Sequence, residues 1–225
     1  MWIDDEEDKG YPILFDNQEI RQMLGLGRVG RSDVFYDLGS GWGQNLIIAL
    51  TEFHVKKAVG IEKDRERHQI STERLEKRGI APSQGIVIRE DFERVLARRV
   101  KGVDLSEATA VFYGLSTDGI LFRKIQRCLG TGARLIYYYN CLFPEILPDQ
   151  VQFPFYVSVA PFRRPKSQYE WLSAIVPKKR SSIARGKRPG LEELWDELSH
   201  DYDVHRIRER IWNYEKRLKK TVGSS

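Results

Sequence analysis

Seven consecutive residues, Asp37-Leu38-Gly39-Ser40-Gly41-Trp42-Gly43, set three glycines at alternating positions directly after a short apolar run. Side chains at such positions would block close approach of the backbone to a ligand, and some of them require positive φ. The amides of such a loop, with the N-terminus of a following helix, suit a carboxylate or a phosphate. The dinucleotide-binding pattern G-x-G-x-x-G shares that chemistry. Here the third glycine comes one residue earlier, and an acidic residue stands two before the first. Glu62 ends the next apolar run, where a carboxylate can accept both hydroxyls of a ribose. Asp91 and Phe92 close a third run, setting a carboxylate beside an aromatic ring. Tyr113-Gly114-Leu115-Ser116 follows a fourth. Spaced in this way, the residues describe a nucleoside-containing cofactor lying across several strand ends.

The elements that must position them alternate. A helix capped by Asp16 or Asn17 runs through Ile20, Met23 and Leu24 to Gly25. Strands are predicted at 33–38, 57–62, 85–89, 108–113 and 134–139, being short, apolar and rich in β-formers. Helices are predicted at 44–53, 64–78 (ended by Gly79), 92–99 and from Asp118 to Gly130, the last burying Ile120, Leu121, Ile125 and Leu129. Such alternation implies a parallel sheet. Two longer strands, Val151–Phe162 and Tyr169–Val176, joined by Arg163-Arg164-Pro165-Lys166-Ser167-Gln168, are expected to close it as an antiparallel hairpin. The fold class is therefore α/β: a Rossmann-like, seven-stranded, mostly parallel sheet with a closing hairpin and a C-terminal helical extension. The expected divisions are an N-terminal segment at 1–15, the main domain at 16–177, a basic linker at 178–190 and a helical extension at 191–225.

The 225 residues, 41% hydrophobic and 31% charged, suffice for one such domain with decoration. No apolar run reaches the roughly 18 to 20 residues needed to span a bilayer. The acidic start is the opposite of a secretory leader. Cys128 and Cys141 have neither metal-ligand nor disulfide spacing, and His54, His68, His200 and His205 form no ligand pattern. No metal is expected, and a reducing, cytoplasmic setting is. The net charge of +5 concentrates in PKKRSSIARGKRPG, residues 177–190, and in the loop at 163–166.

The glycine loop, with its early third glycine and leading aspartate, resembles the cofactor motif of S-adenosylmethionine-dependent methyltransferases of the seven-stranded class. Asp37-Leu38-Gly39-Ser40-Gly41-Trp42-Gly43-Gln44 is similar to the D-L-G-S-G-x-G-Q motif of the non-SET histone-lysine methyltransferases, the disruptor-of-telomeric-silencing type. Gly60-Ile61-Glu62-Lys63 and Glu90-Asp91-Phe92 extend the likeness, and Tyr11-Pro12-Ile13-Leu14-Phe15-Asp16 resembles a shortened form of that family's tyrosine-containing cofactor lid. The archaeal protein-lysine methyltransferases are similar over about Tyr11 to Tyr139. The resemblance implies S-adenosyl-L-methionine as cofactor, held by Tyr11, Asp37, Gly39, Ser40, Gly41, Gly43, Gln44, Glu62, Asp91 and Phe92. Glu62 would take the ribose, Asp91 and Phe92 the adenine, and the glycine loop the methionine portion.

It also implies a protein substrate with an accessible lysine. The histone-modifying family carries an asparagine-containing segment after the fourth strand, where Gly114-Leu115-Ser116 stands here, so the compact archaeal enzymes are the nearer likeness. A lysine must react as the neutral amine, and an aromatic channel favours that form by desolvation. Tyr113 is the catalytic-site candidate, with Phe143, Phe162 and Trp171 as further channel candidates; core packing is the competing reading for each. The basic segments 163–166 and 178–188 admit contact with nucleic acid, and RNA is the alternative acceptor. Against RNA, the chain has no Asn/Asp-Pro-Pro-Tyr motif. A non-catalytic module retaining only the pocket is the remaining reading.

Overall fold

The computed structural model describes residues 15–97, 100, 103–114, 119–139, 143–176 and 190–199. The Tyr11 segment, Leu115, Ser116, Asp118, Cys141, the 178–188 basic stretch and everything after 199 lie outside the described residues.

Helix α1 (Asn17–Leu26) starts with a reciprocal cap. Asp16 accepts from the Gln18 and Glu19 amides, and Glu19 accepts from the Asp16 amide. The cap satisfies donors that a helix start leaves without partners. The chain continues as β1 (Val34–Leu38), α2 (Gln44–Thr51), β2 (Lys57–Glu62), α3 (Arg65–Glu76), β3 (Gly85–Arg89), α4 (Phe92–Leu96), β4 (Ala110–Tyr113), α5 (Gly119–Cys128) and β5 (Arg134–Tyr138). Then follow β6 (Gln150–Gln152), β7 (Phe155–Val159), α6 (Gln168–Ile175) and α7 (Leu191–Ser199). The sheet has seven strands in the order β3-β2-β1-β4-β5-β7-β6. β1 to β5 pair in parallel, while β7 runs antiparallel to both β5 and β6.

Both faces of the sheet are covered, so the central strands are largely apolar rather than alternating with polar residues, while the edge strand β6 carries Gln150 and Gln152. Phe35, Ala58, Val87, Ala110, Phe112, Ile136 and Phe155 join residues of α1 and α2 in one core. Tyr36, Leu38, Val59, Ile61, Val111, Tyr113 and Tyr137 join residues of α4, α5, α6 and α7 in the other. Along each strand, successive side chains go to opposite layers. Helix α7 buries Leu194, Trp195 and Leu198 in that second core, so the described start of the C-terminal extension packs on the domain.

The closing hairpin lies elsewhere than expected. The single strand predicted over Val151–Phe162 splits into β6 and β7 around Phe153-Pro154, and Tyr169–Val176 belongs to helix α6. Pro154 has no N–H to donate to a ladder, which breaks a continuous strand there. Ser167 caps α6 by accepting from the Glu170 amide, and Trp171, Leu172 and Ile175 are buried at helical rather than alternating spacing. The Ser-x-x-Glu pattern at 167–170 was the sequence signal for this helix.

Candidate functional site

All three glycines of the loop after β1 have positive φ: +90° at Gly39, +53° at Gly41 and +75° at Gly43. That conformation disfavours any side chain and turns the chain back upon the strand ends. Hydrogen bonds hold the turn. The Gly39 and Ser40 amides both donate to the Ile61 carbonyl at 2.9 Å, and the Gly43 amide to that of Ser40 at 2.9 Å. β2 admits the loop at Gly60, where a Cβ would fall 2.5 Å from Ser40 Oγ. A Cβ on Gly41 would instead meet nothing within 4 Å, so this part of the loop borders open space.

Helix α2 begins at this loop without a side-chain cap, its N-cap being Gly43. By contrast, α1, α3, α4 and α6 are capped by Asp16, Asp64, Asp91 and Ser167. The first amides of α2 and the positive end of its dipole are thus left for an anion such as a carboxylate.

Two buried polar atoms at the loop have no hydrogen-bond partner: Asp37 Oδ1 and Ser40 Oγ. Asp37 is 1% exposed, and its other oxygen accepts from Asn45 Nδ2 at 3.0 Å. Burial pushes its carboxyl pKa up to about 7; the Asn45 hydrogen bond opposes the rise and the nearby Glu62 charge adds to it. A buried acceptor without a donor is costly, and a cationic or amine donor at this place would relieve it. The buried orphan oxygens, the open space at Gly41 and the uncapped helix together fit an amino-acid moiety carrying both an amine and a carboxylate.

Glu62, at the end of β2, is 4% exposed. Its Oε2 accepts from the Gly41 amide at 2.8 Å and its Oε1 from the Asp64 amide at 2.9 Å. Each oxygen keeps lone-pair capacity beyond one bond, so a pair of ribose hydroxyls can still be accepted. Glu62 therefore also fastens the glycine loop to β2. Gln44 has a comparable structural bond on either side: its Nε2 donates to Asn17 Oδ1 at 2.8 Å, and its Oε1 accepts from Arg74.

Asp91 caps α4, its Oδ1 accepting from the Glu93 amide at 2.8 Å. The adjacent Phe92 ring meets Tyr113 edge-on at 5.7 Å. Tyr113 is fully buried, with Phe143 tilted against it at 6.4 Å. Phe143, Phe162 and Trp171, the other channel candidates, are at most 7% exposed and sit in the same core. The Trp171 indole N–H donates to the Phe143 carbonyl at 3.0 Å. The structure therefore brings the glycine loop, Asp37, Glu62, Asp91 and Phe92 to one edge of the sheet, and it buries the four aromatic candidates beneath.

Sequence reasoning missed two residues. Asn45 partners Asp37, and Arg74 of α3 donates to the Trp42 carbonyl at 2.7 Å as well as to Gln44. Asn45, one residue past the motif, could have been found as an amide in the first turn of the helix facing a strand-end carboxylate. Arg74 lies among the many charged residues of α3, and nothing in its local pattern distinguishes it. Among the described residues no group of His, Cys, Asp and Glu is arranged to hold a metal, and no helix is long and apolar enough to cross a membrane.

The family model described as "Histone methylation protein DOT1" matches residues 15–79, spanning α1 through α3. A protein-lysine N-methyltransferase of Saccharolobus islandicus (strain REY15A) is 37% identical over 119 residues, or 52% of this chain and 68% of that protein. Among solved structures, an RNA methyltransferase of Salinibacter ruber, crystallised with S-adenosyl-L-homocysteine, superposes with a TM-score of 0.59 at 25% identity. That match covers 69% of this chain and 98% of the other. The strand order, the glycine loop and these similarities converge: the chain is a class I S-adenosylmethionine-dependent methyltransferase and belongs to the same family as the Saccharolobus islandicus protein.

Proposed function

We propose that this chain transfers the methyl group of S-adenosyl-L-methionine to the ε-amine of protein lysines. The observation that carries this choice of acceptor is the 37% identity to a protein-lysine N-methyltransferase over 119 residues. When bound, the cofactor supplies a methyl group on a positively charged sulfur, already activated for in-line displacement. The protein's contribution is then chiefly alignment of the reacting groups, an effect of position more than of acid–base catalysis.

The α2 N-terminus and the loop amides bind the carboxylate of the methionine portion, and Asp37, through its unpartnered oxygen, accepts from the ammonium. Ser40 and the three glycines shape the same cradle. Glu62 accepts from the ribose hydroxyls while keeping the Gly41 amide. Asp91 accepts from the adenine amine with the oxygen that does not cap α4, and Phe92 packs on the base. Tyr113 supports Phe92 from within the core. Gln44 sets the start of α2 against α1 and α3. Tyr11 is proposed as part of a lid over the cofactor.

RNA is the second reading, favoured by the likeness to the Salinibacter ruber RNA methyltransferase. The loop at 163–166 and the stretch at 178–188 would then meet phosphates. In that loop Arg163 is engaged with Asp149 at 3.0 Å, while Arg164 and Lys166 remain exposed. Incubating cell extract with enzyme and radiolabelled cofactor, then digesting with protease or ribonuclease, separates the two. Label released by protease is expected; label released by ribonuclease alone would overturn the lysine reading.

A further inference from the structure

The loop after β1, Glu62 at the end of β2 and Asp91 after β3 occupy one half of the sheet's carboxyl edge. The acceptor is left the other half, formed by the ends of β4 and β5 and the β6–β7 turn. The register places them together: Leu38 pairs with Tyr113, Tyr113 with Tyr137, and the next residue, Tyr138, with Phe155, which pairs with Gln152. Aromatic rings run along this edge. Phe15 lies 4.9 Å from Tyr138 and 5.7 Å from Phe112, Tyr138 lies 4.6 Å from Tyr139, and Tyr139 lies 5.9 Å from Phe153, all between ring centroids.

This chain of rings ends at the surface. Phe153 is 39% exposed, and Ile86 and Leu191, far from this edge in the sheet order or outside it, are the other exposed large hydrophobics among the described residues. The turn bearing Phe153 is anchored to α1, because Gln22 Nε2 donates to the Phe153 carbonyl at 3.1 Å. A partly exposed aromatic side chain is thus held on a fixed turn, continuous with an aromatic wall along the carboxyl edge of the same sheet as the cofactor loop.

We propose that Tyr139 and Phe153, backed by Phe15 and Tyr138, form the acceptor-binding surface and receive the aliphatic stem of a substrate lysine. The inference rests on the lysine reading above and adds the residues that would recognise it. Ring faces pack against a run of methylenes and attract an ammonium before it loses its proton. The Tyr138 hydroxyl pKa is raised by burial first, then by Tyr139 and by the negative charge of Glu19 on α1. Of these, the Glu19 carboxylate is the anion present at neutral pH, and it favours an incoming amine over a phosphodiester.

The test measures methyl transfer from tritiated cofactor to poly-L-lysine and, in parallel, to bulk ribosomal RNA. Phe153→Ala and Tyr139→Ala are each expected to raise the KM for poly-L-lysine five- to tenfold, with S-adenosylhomocysteine affinity by calorimetry held within twofold. Ile86→Ala, equally exposed on the opposite edge strand, is the control and should leave KM alone. Labelled poly-L-lysine with unchanged KM in both aromatic variants overturns the surface assignment. So does a loss confined to cofactor affinity. Labelling of RNA alone, or of neither polymer, overturns the lysine reading itself.

Discussion

Replacing Asp37 with asparagine should stabilise the cofactor-free protein while weakening its hold on the cofactor. A carboxyl held at about 7 instead of 3.8 makes the ionised form about 4 kcal/mol harder to accommodate in the fold than in water. Between those two values the folded chain keeps a proton that the unfolded chain has lost. Stability therefore falls as pH rises through this window and levels off above about 7. The substituted amide would be neutral at every pH, has nearly the same shape as the carboxylate, and retains an oxygen for the Asn45 side chain. The figure of about 4 kcal/mol is a ceiling, because water reaching the carboxylate lowers the cost. If half is realised, the variant gains about 2 kcal/mol at pH 8, or roughly 4–8 °C in Tm for a chain of this size. Thermal melts of the cofactor-free protein at pH 8 and pH 4 measure the gain, which should shrink severalfold at the lower pH, close to the unfolded value of 3.8. Calorimetry should show the opposite trend for ligand, with S-adenosylhomocysteine bound at least about tenfold more weakly by the variant, the scale of a lost charged hydrogen bond. Wild-type affinity should also decline below pH 7, by up to about tenfold per pH unit, as the carboxyl takes up its proton. A variant destabilised equally at both pH values would refute the argument that burial strains this carboxylate.

Three other substitutions probe the same edge. Glu62→Ala strips the Gly41 and Asp64 amides of their acceptor as well as removing the proposed ribose contact, so S-adenosylhomocysteine affinity should fall by about 1–3 kcal/mol in calorimetry; unchanged affinity would reject the assignment. Arg74→Met keeps the aliphatic stem but removes the donors to Trp42 and Gln44, and is expected to weaken cofactor binding about three- to tenfold with little change in Tm. Equal affinity in that variant would show that the loop holds its shape unaided. Gly43→Ala places a Cβ 3.0 Å from that of Ser71 at a φ of +75°, and should lower stability by roughly 1–3 kcal/mol in urea titration; a neutral result would mean that α3 yields at this contact.

Much of this site was legible in local pattern. Asp16, Asp64 and Asp91 cap helices because a short carboxylate reaches amides two or three residues ahead, a relation contained within one stretch of chain. Apolar runs marked the parallel strands because both faces of the sheet are covered, and the spacing of glycines and carboxylates after those runs marked the edge proposed to hold the cofactor. Where two local readings competed, the sequence was ambiguous: Tyr169–Val176 is apolar enough for a strand, and the Ser167 cap with the 171, 172, 175 spacing decided for a helix.

The sequence by itself determined the cofactor chemistry, since a backbone cradle needs glycines at set intervals and the strands bring Glu62 and Asp91 to the same edge. Only the tertiary structure decided which aromatic residues face solvent and which fill the core. Tyr113, Phe143, Phe162 and Trp171 are buried, whereas Phe153 stands exposed beside Tyr139. Hydrophobicity is the same in either place, and the difference arises from which helices cover each end of the sheet. The Arg74 clamp was likewise undetectable in one dimension, because its partners Trp42 and Gln44 are 32 and 30 residues away and meet it only when α3 packs against the loop.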